Sequence, residues 1–106
     1  MLSAKTDWLY SSIADDPDFA ELVEMFVDEM PDRVQRLTSA FENRQWDDLR
    51  RAAHQLKGSG GSYGFLPLTE GAARLEHAVR QQEGEEAIAE VLGELVEICR
   101  RVRAGR

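Results

Sequence analysis

The 106-residue chain is short of cysteine, of proline and of long apolar runs, and each shortage excludes something. Cys99 is the single cysteine. It rules out an internal disulfide, and it lacks the companions that a thiolate metal site needs. Its neighbours Leu95, Val96, Ile98 and Val102 are apolar, which predicts a buried structural thiol. No stretch approaches the roughly 18 apolar residues that span a bilayer. Residues 1–7 hold neither a long apolar segment nor a basic leader, so no signal peptide is expected. These absences predict a cytoplasmic protein with no membrane association. Basic residues are also in deficit. Thirteen Lys and Arg face 20 Asp and Glu, for a formal net charge of −7. Phosphate backbones repel such a surface, so no nucleic-acid partner is expected.

What is present is the balance of one soluble globular unit. Apolar residues make up 42% and charged residues 31% of a chain long enough for a single core. One domain over residues 1–106 is expected. There is no internal repeat and no low-complexity tract. Strand signals are weak, and apolar residues recur at steps of three and four.

Five elements follow from that spacing. A short helix is predicted over residues 7–14, with Trp8, Leu9 and Ile13 as its apolar residues. Asp16-Pro17 then gives a helix start, a capping carboxylate followed by a proline at the first turn. Phe19, Leu22, Val23, Phe26, Met30, Val34, Leu37 and Phe41 keep one phase over residues 17–43. Pro31 interrupts them, so this is one kinked helix or two helices meeting at Met30-Pro31. A third element covers 46–63 with Leu49, Ala52, Ala53, Leu56 and Tyr63. A fourth starts near Pro67, uses Leu68, Ala72, Leu75 and Val79, and is ended by Gly84. A fifth covers 85–103, with Arg100, Arg101 and Arg103 in its last turn, where cations suit the helix dipole. The expected fold is all-α: an antiparallel four-helix bundle with a short additional N-terminal helix. Four helices closing one core predict a monomer.

The third element breaks the pattern of a plain bundle. His54-Gln55-Leu56-Lys57-Gly58-Ser59-Gly60-Gly61-Ser62-Tyr63-Gly64 places four glycines in or against one helix. Each interior glycine costs about 1 kcal/mol relative to alanine. On a wheel of about 100° per residue, Leu49, Ala52, Ala53 and Leu56 define the core side. His54 falls about 140° from Leu49, toward solvent, with Gly58 and Gly61 within about 40° of it. Arg50 lies one turn before at a similar offset, and Lys57 can fold back toward the ring. The result is an exposed imidazole with bare backbone on its C-terminal side. Gly60 faces the core side and is expected to permit close helix packing. Gly64 is expected to end the helix.

Neutral imidazole is a competent nucleophile near neutral pH. An extra negative charge on its product is one that Lys57 can offset. Glycines admit the close in-line approach of a phosphoryl donor. For each of these residues alone the ordinary reading is a solvated surface position; the grouping of His54, Lys57, Gly58 and Gly61 is what points to a site.

With those residues in view, the chain resembles the histidine-phosphotransfer (HPt) family of two-component phosphorelays. The pattern is His54-x-Leu56-Lys57-Gly58-Ser59 with Gly64 following, preceded by Ala52-Ala53 and by Trp46-Asp47-Asp48-Leu49. The resemblance covers about residues 7–103. It implies that His54 accepts a phosphoryl group from an aspartate of a receiver domain and passes it to another receiver. It further implies that Lys57 stabilises that group, that Gly58 and Gly61 leave room for docking, and that Glu76 on the next helix orients the ring. Arg50 and Arg51 are candidate contacts to an acidic receiver face. His77 lacks the Lys-Gly sequence after it and is expected to be a surface or packing residue.

Other functions fit less well. Gly61-Ser62-Tyr63-Gly64-Phe65 also resembles the phospho-accepting domain of chemotaxis histidine kinases, whose ATP-binding domain this length does not accommodate. No phosphate-binding Gly-Lys-Ser/Thr loop is present, since Lys57 precedes the glycines. The run from Gly58 fails the dinucleotide pattern, with Tyr63 where a glycine belongs. The chain is therefore expected to be a phosphocarrier and not a kinase. A non-transferring interaction bundle would not need His54 with Lys57. A di-iron bundle needs Glu-x-x-His pairs, but Arg51 and Arg74 stand three residues before the two histidines. No cofactor and no resident metal are expected; any Mg²⁺ would belong to the receiver. Met1 and a complete bundle predict a stand-alone protein.

Overall fold

A computed structural model describes residues 7–104. Residues 1–6, on which the expectation of no leader rests, and residues 105–106 lie outside the described residues. The element order is β1 (Leu9–Tyr10), α1 (Pro17–Asp28), α2 (Met30–Glu42), α3 (Trp46–Ser62), α4 (Leu66–Arg80), α5 (Glu85–Arg101) and β2 (Val102–Arg103).

The expected N-terminal helix is absent: residues 7–14 are extended and turned. β1 pairs in parallel with β2, Leu9 opposite Val102 and Tyr10 opposite Arg103. Two causes are visible. Three apolar residues do not make an amphipathic helix long enough to hold itself. Serine side chains also compete for backbone groups. Ser11 Oγ donates to the Tyr63 carbonyl and accepts from the Ile13 amide, and the Ser12 amide donates to Gly64 O at 2.9 Å. The Arg103 guanidinium lies over the Trp8 ring, 3.9 Å from its centroid. This N-terminal strap thus ties the C-terminal end of α5 to the α3–α4 turn.

Asp16 caps α1, its carboxylate accepting from the Asp18 amide at 2.9 Å. Residues 17–43 form two helices, with Glu29 between them at φ −83° and ψ −7°. Pro31 falls in the first turn of α2, where its missing N–H needs no partner. The proline therefore starts a second helix where the sequence alone left a kink open. Phe26 of α1 stacks on Tyr63 at 4.6 Å and on Phe65 at 6.0 Å between centroids, which seats α1 over the α3–α4 turn. Phe19 and Leu22, expected in the core stripe, are instead 43% and 46% exposed. They lie on the flank of α1 that the bundle does not reach.

Two further boundaries depart from expectation. α4 stops at Arg80, and Gln82 takes the left-handed turn conformation at φ +54°. Gly84 instead begins α5 as its cap residue. Arg100 and Arg101 occupy the last turn of α5, whereas Arg103 lies beyond it in β2, because Val102 is extended to pair with Leu9.

Packing contacts run α2–α3, α3–α4, α4–α5 and α5–α2, with α3 and α4 the most intimate pair. Leu37, Leu49, Leu56, Leu68, Leu75 and Leu95 meet in one core. Each contributes about 1.5–3 kcal/mol through burial. Cys99 is in that core, and loss of solvent pushes its thiol up to about 12, which makes it inert. No helix among the described residues is long and apolar enough to cross a membrane.

Candidate functional site

α3 buries Leu49, Ala53, Leu56 and Gly60, and this fixes its rotation. His54 consequently points outward, with 59% of its side chain exposed. α4 packs against the same stretch of α3 and brings Glu76 beneath the ring. Glu76 is the one charged side chain in the buried set, at 4% exposure.

Its carboxylate is fully engaged. His54 Nδ1 lies 2.8 Å from Oε2, and Lys57 Nζ lies 2.7 Å from Oε1. A third group that the sequence reading missed, Arg80, places Nη2 3.1 Å from Oε2. The signal for it was the four-residue step from Glu76 on one helix face. The Lys57 hydrogen bond holds the Glu76 carboxyl below its ordinary range. Burial opposes this, and the His54 bond and the charges of Lys57 and Arg80 reinforce it. Glu76 is thus an ionised carboxylate at neutral pH, able only to accept. The ring must therefore carry its proton on Nδ1 and donate, which leaves the Nε2 lone pair free.

Lys57 Nζ pairs with one oxygen of the Glu76 carboxylate whose other oxygen meets the ring. Arg50 and Arg51 stand outside this cluster. Arg50 Nη2 meets Asp47 Oδ1 and Arg51 Nη2 meets Asp47 Oδ2, each at 2.9 Å. Both pairs are solvent-exposed helix-surface contacts, weak enough to exchange for a partner. They hold the Asp47 carboxyl below its usual range, the Arg50 hydrogen bond acting first. Arg50 and Arg80 also border an open cleft of about 670 Å³ whose apolar side is Trp46, Val79 and Ile88.

The glycines divide by environment. A side chain at Gly58 would meet nothing within 4 Å. At Gly61 a Cβ would make ordinary contact with Thr69 Oγ1 at 3.4 Å. Both positions are exposed and leave the surface beyond His54 bare. Gly60 is buried, and a Cβ there would lie 2.9 Å from Thr69 Oγ1 and 3.2 Å from Leu68 Cβ. It allows α3 and α4 to touch, and Thr69 Oγ1 donates to the Lys57 carbonyl at 3.0 Å across that contact. Gly64, at φ +81°, ends α3 as expected. His77 is exposed. Among the described residues no group of three or more His, Cys, Asp or Glu is arranged to hold a metal ion.

A solvent-facing imidazole with one nitrogen bonded to a buried carboxylate and the other open is suited to nucleophilic attack. A protein-family model described as "Hpt domain" matches residues 21–105. No curated protein and no solved structure matches the chain.

Proposed function

The chain belongs to the Hpt domain family, and on that premise we propose that it is a phosphorelay intermediate in which His54 takes a phosphoryl group from a receiver aspartate and delivers it to a second receiver. Family membership implies histidine phosphotransfer, and Hpt domains are carriers without kinase catalysis of their own. The observation that supports His54 as the acceptor is its Nδ1 bond to buried Glu76.

The step runs as a single displacement. The Nε2 lone pair attacks phosphorus, and the bond from phosphorus to the aspartate oxygen breaks with its electrons passing to the departing carboxylate. Nδ1 keeps its proton. The ring becomes cationic as the N–P bond forms, and the carboxylate of Glu76 stabilises that charge. Lys57 can leave Oε1 for the arriving phosphoryl oxygens, because a compact ammonium on a flexible stem exchanges partners readily. Transfer onward reverses these steps.

Around this site we read α2 to α5 as an antiparallel four-helix bundle forming one domain over residues 1–106. The protein acts as a cytoplasmic monomer whose partners are receiver domains, with Arg50, Arg51, Gly58 and Gly61 on the docking side. The shared core of the four helices supports the first statement and the acidic composition is in keeping with a protein partner. Incubation with a phosphorylated receiver should add one acid-labile phosphoryl group to the intact mass. No gain across a panel of receivers would leave a bundle that binds without transferring.

Two variants probe the parts. Glu76→Ala removes the group that orients the ring, so phosphorylation should slow about ten- to a hundredfold; a wild-type rate would remove Glu76 from the site. Gly58→Ala fills open space on a helix, so thermal or urea unfolding should show stabilisation of about 0.5–1 kcal/mol. The new methyl stands where the receiver approaches, and transfer should slow about three- to tenfold. A stabilised variant with unimpaired transfer would place docking elsewhere.

A further inference from the structure

Arg80 pairs with Glu76 at a four-residue step on α4, an ordinary helix contact that here falls beside the reacting group. Its guanidinium shares Glu76 Oε2 with the His54 ring, so it sits next to the reacting group while more than half its side chain stays in water, at 55% exposure. The charges around His54 come from two helices. α3 supplies Lys57, together with Arg50 and Arg51, which are opposed by Asp47. α4 supplies Glu76 and Arg80. At the ring itself one carboxylate faces two cations, Lys57 and Arg80, so the immediate surroundings of His54 are net positive before the ring is counted.

Two electrophiles compete for Nε2. A proton leaves the ring with one positive charge. A phosphoryl group brings about two negative charges, so ring and group together end net negative. A carboxylate acting alone beside the ring favours the proton, since an opposite charge stabilises the imidazolium. An imidazolium has no lone pair and cannot attack. A neighbouring cation reverses that preference.

Resting on the transfer reading above, we propose that Arg80 is a positioning residue that acts through Glu76 to make Nε2 take a phosphoryl group in preference to a proton. Glu76 is then free to orient the ring without also protonating it. Lys57 alone would only cancel Glu76. Arg80 supplies the excess charge, and it remains in place when Lys57 moves to the phosphoryl oxygens.

The test uses phosphoramidate, a small phosphoryl donor that needs no docking, on wild type, Arg80→Ala and Arg80→Lys. At about pH 6.5, where imidazoles titrate, Arg80→Ala should be slower than wild type by about threefold or more. At about pH 8.5, well above the range where imidazoles titrate, the two should agree within about twofold. Arg80→Lys should restore the wild-type profile. Nitrogen NMR of the unphosphorylated proteins should show more doubly protonated His54 ring in Arg80→Ala at the lower pH. An Arg80→Ala rate equal to wild type, a deficit of the same size at both pH values, or an unchanged ring signal would each overturn the proposal. If wild type takes no phosphoryl group from phosphoramidate or from any receiver, the transfer reading fails instead, and the NMR comparison still decides the charge effect of Arg80.

Discussion

His54→Gln should fold as wild type does and carry no acid-labile phosphate after incubation with a phosphorylated receiver. The fold is spared because the side chain is 59% exposed and makes one polar contact, to Glu76. Glutamine can donate to the same oxygen from its amide, so the stability change should stay below about 1 kcal/mol. The chemistry is not spared. Glutamine offers no nucleophilic lone pair at the position of Nε2, and the other histidine, His77, has neither the Glu76 bond nor the Lys57 neighbour. The loss should therefore be complete rather than partial. Intact-mass measurement with and without acid treatment reads it directly, and circular dichroism checks the fold. Acid-labile phosphate retained on the variant would show that His54 is not the acceptor.

Gly60→Val should be the most damaging substitution among the glycines of α3. The first added carbon would lie 2.9 Å from Thr69 Oγ1, 3.1 Å from the Thr69 backbone nitrogen and 3.2 Å from Leu68 Cβ. The hydroxyl can rotate away, but the backbone nitrogen belongs to α4 and cannot move without moving the helix. Valine then adds two methyl groups to the same gap. Overpacking of this kind costs about 1–3 kcal/mol, set against a few tenths regained from helix propensity. In a domain of this length about 2 kcal/mol lowers the melting temperature by about 10 °C. Because α3 and α4 carry His54 and Glu76, separation of the two helices should also lengthen the Nδ1 contact and slow phosphorylation. Gly58→Val, facing open space, is the control. Equal melting temperatures for the two variants would mean that the helices do not approach as closely as described.

Much of this site is written in residues close together in the chain. The period of Leu49, Ala53 and Leu56 gives the rotation of α3, and with it the outward direction of His54. The glycine run marks both the bare surface and, at Gly60, the tight contact. Arg50 and Arg51 are three and four residues from Asp47, so their pairing could have been read from spacing alone. The engagement of Arg80 was available in the same way once Glu76 was placed on a helix. What spacing could not give is anything set by distant backbone. The strand pair joins residues far apart in sequence, and nothing in Leu9-Tyr10 specifies Val102-Arg103 as its partner. Helical spacing in Phe19 and Leu22 looks the same whether or not a neighbour covers them. Their exposure depends on where α1 crosses the bundle, which a one-dimensional pattern does not contain.

The strap at residues 8–14 also orders the chain in time. Leu9 and Ser12 leave the ribosome well before their partners Val102 and Gly64, and Val102 follows only after all five helices. Such a distant pairing is favourable only after the intervening helices have drawn the two segments together. The strap is therefore synthesised before its partners and docked after the helices. With Trp8 and Tyr10 exposed and no helix of its own, it is also the part that detaches first when the native protein fluctuates, so amides there should exchange with solvent while those of α3 and α4 stay protected.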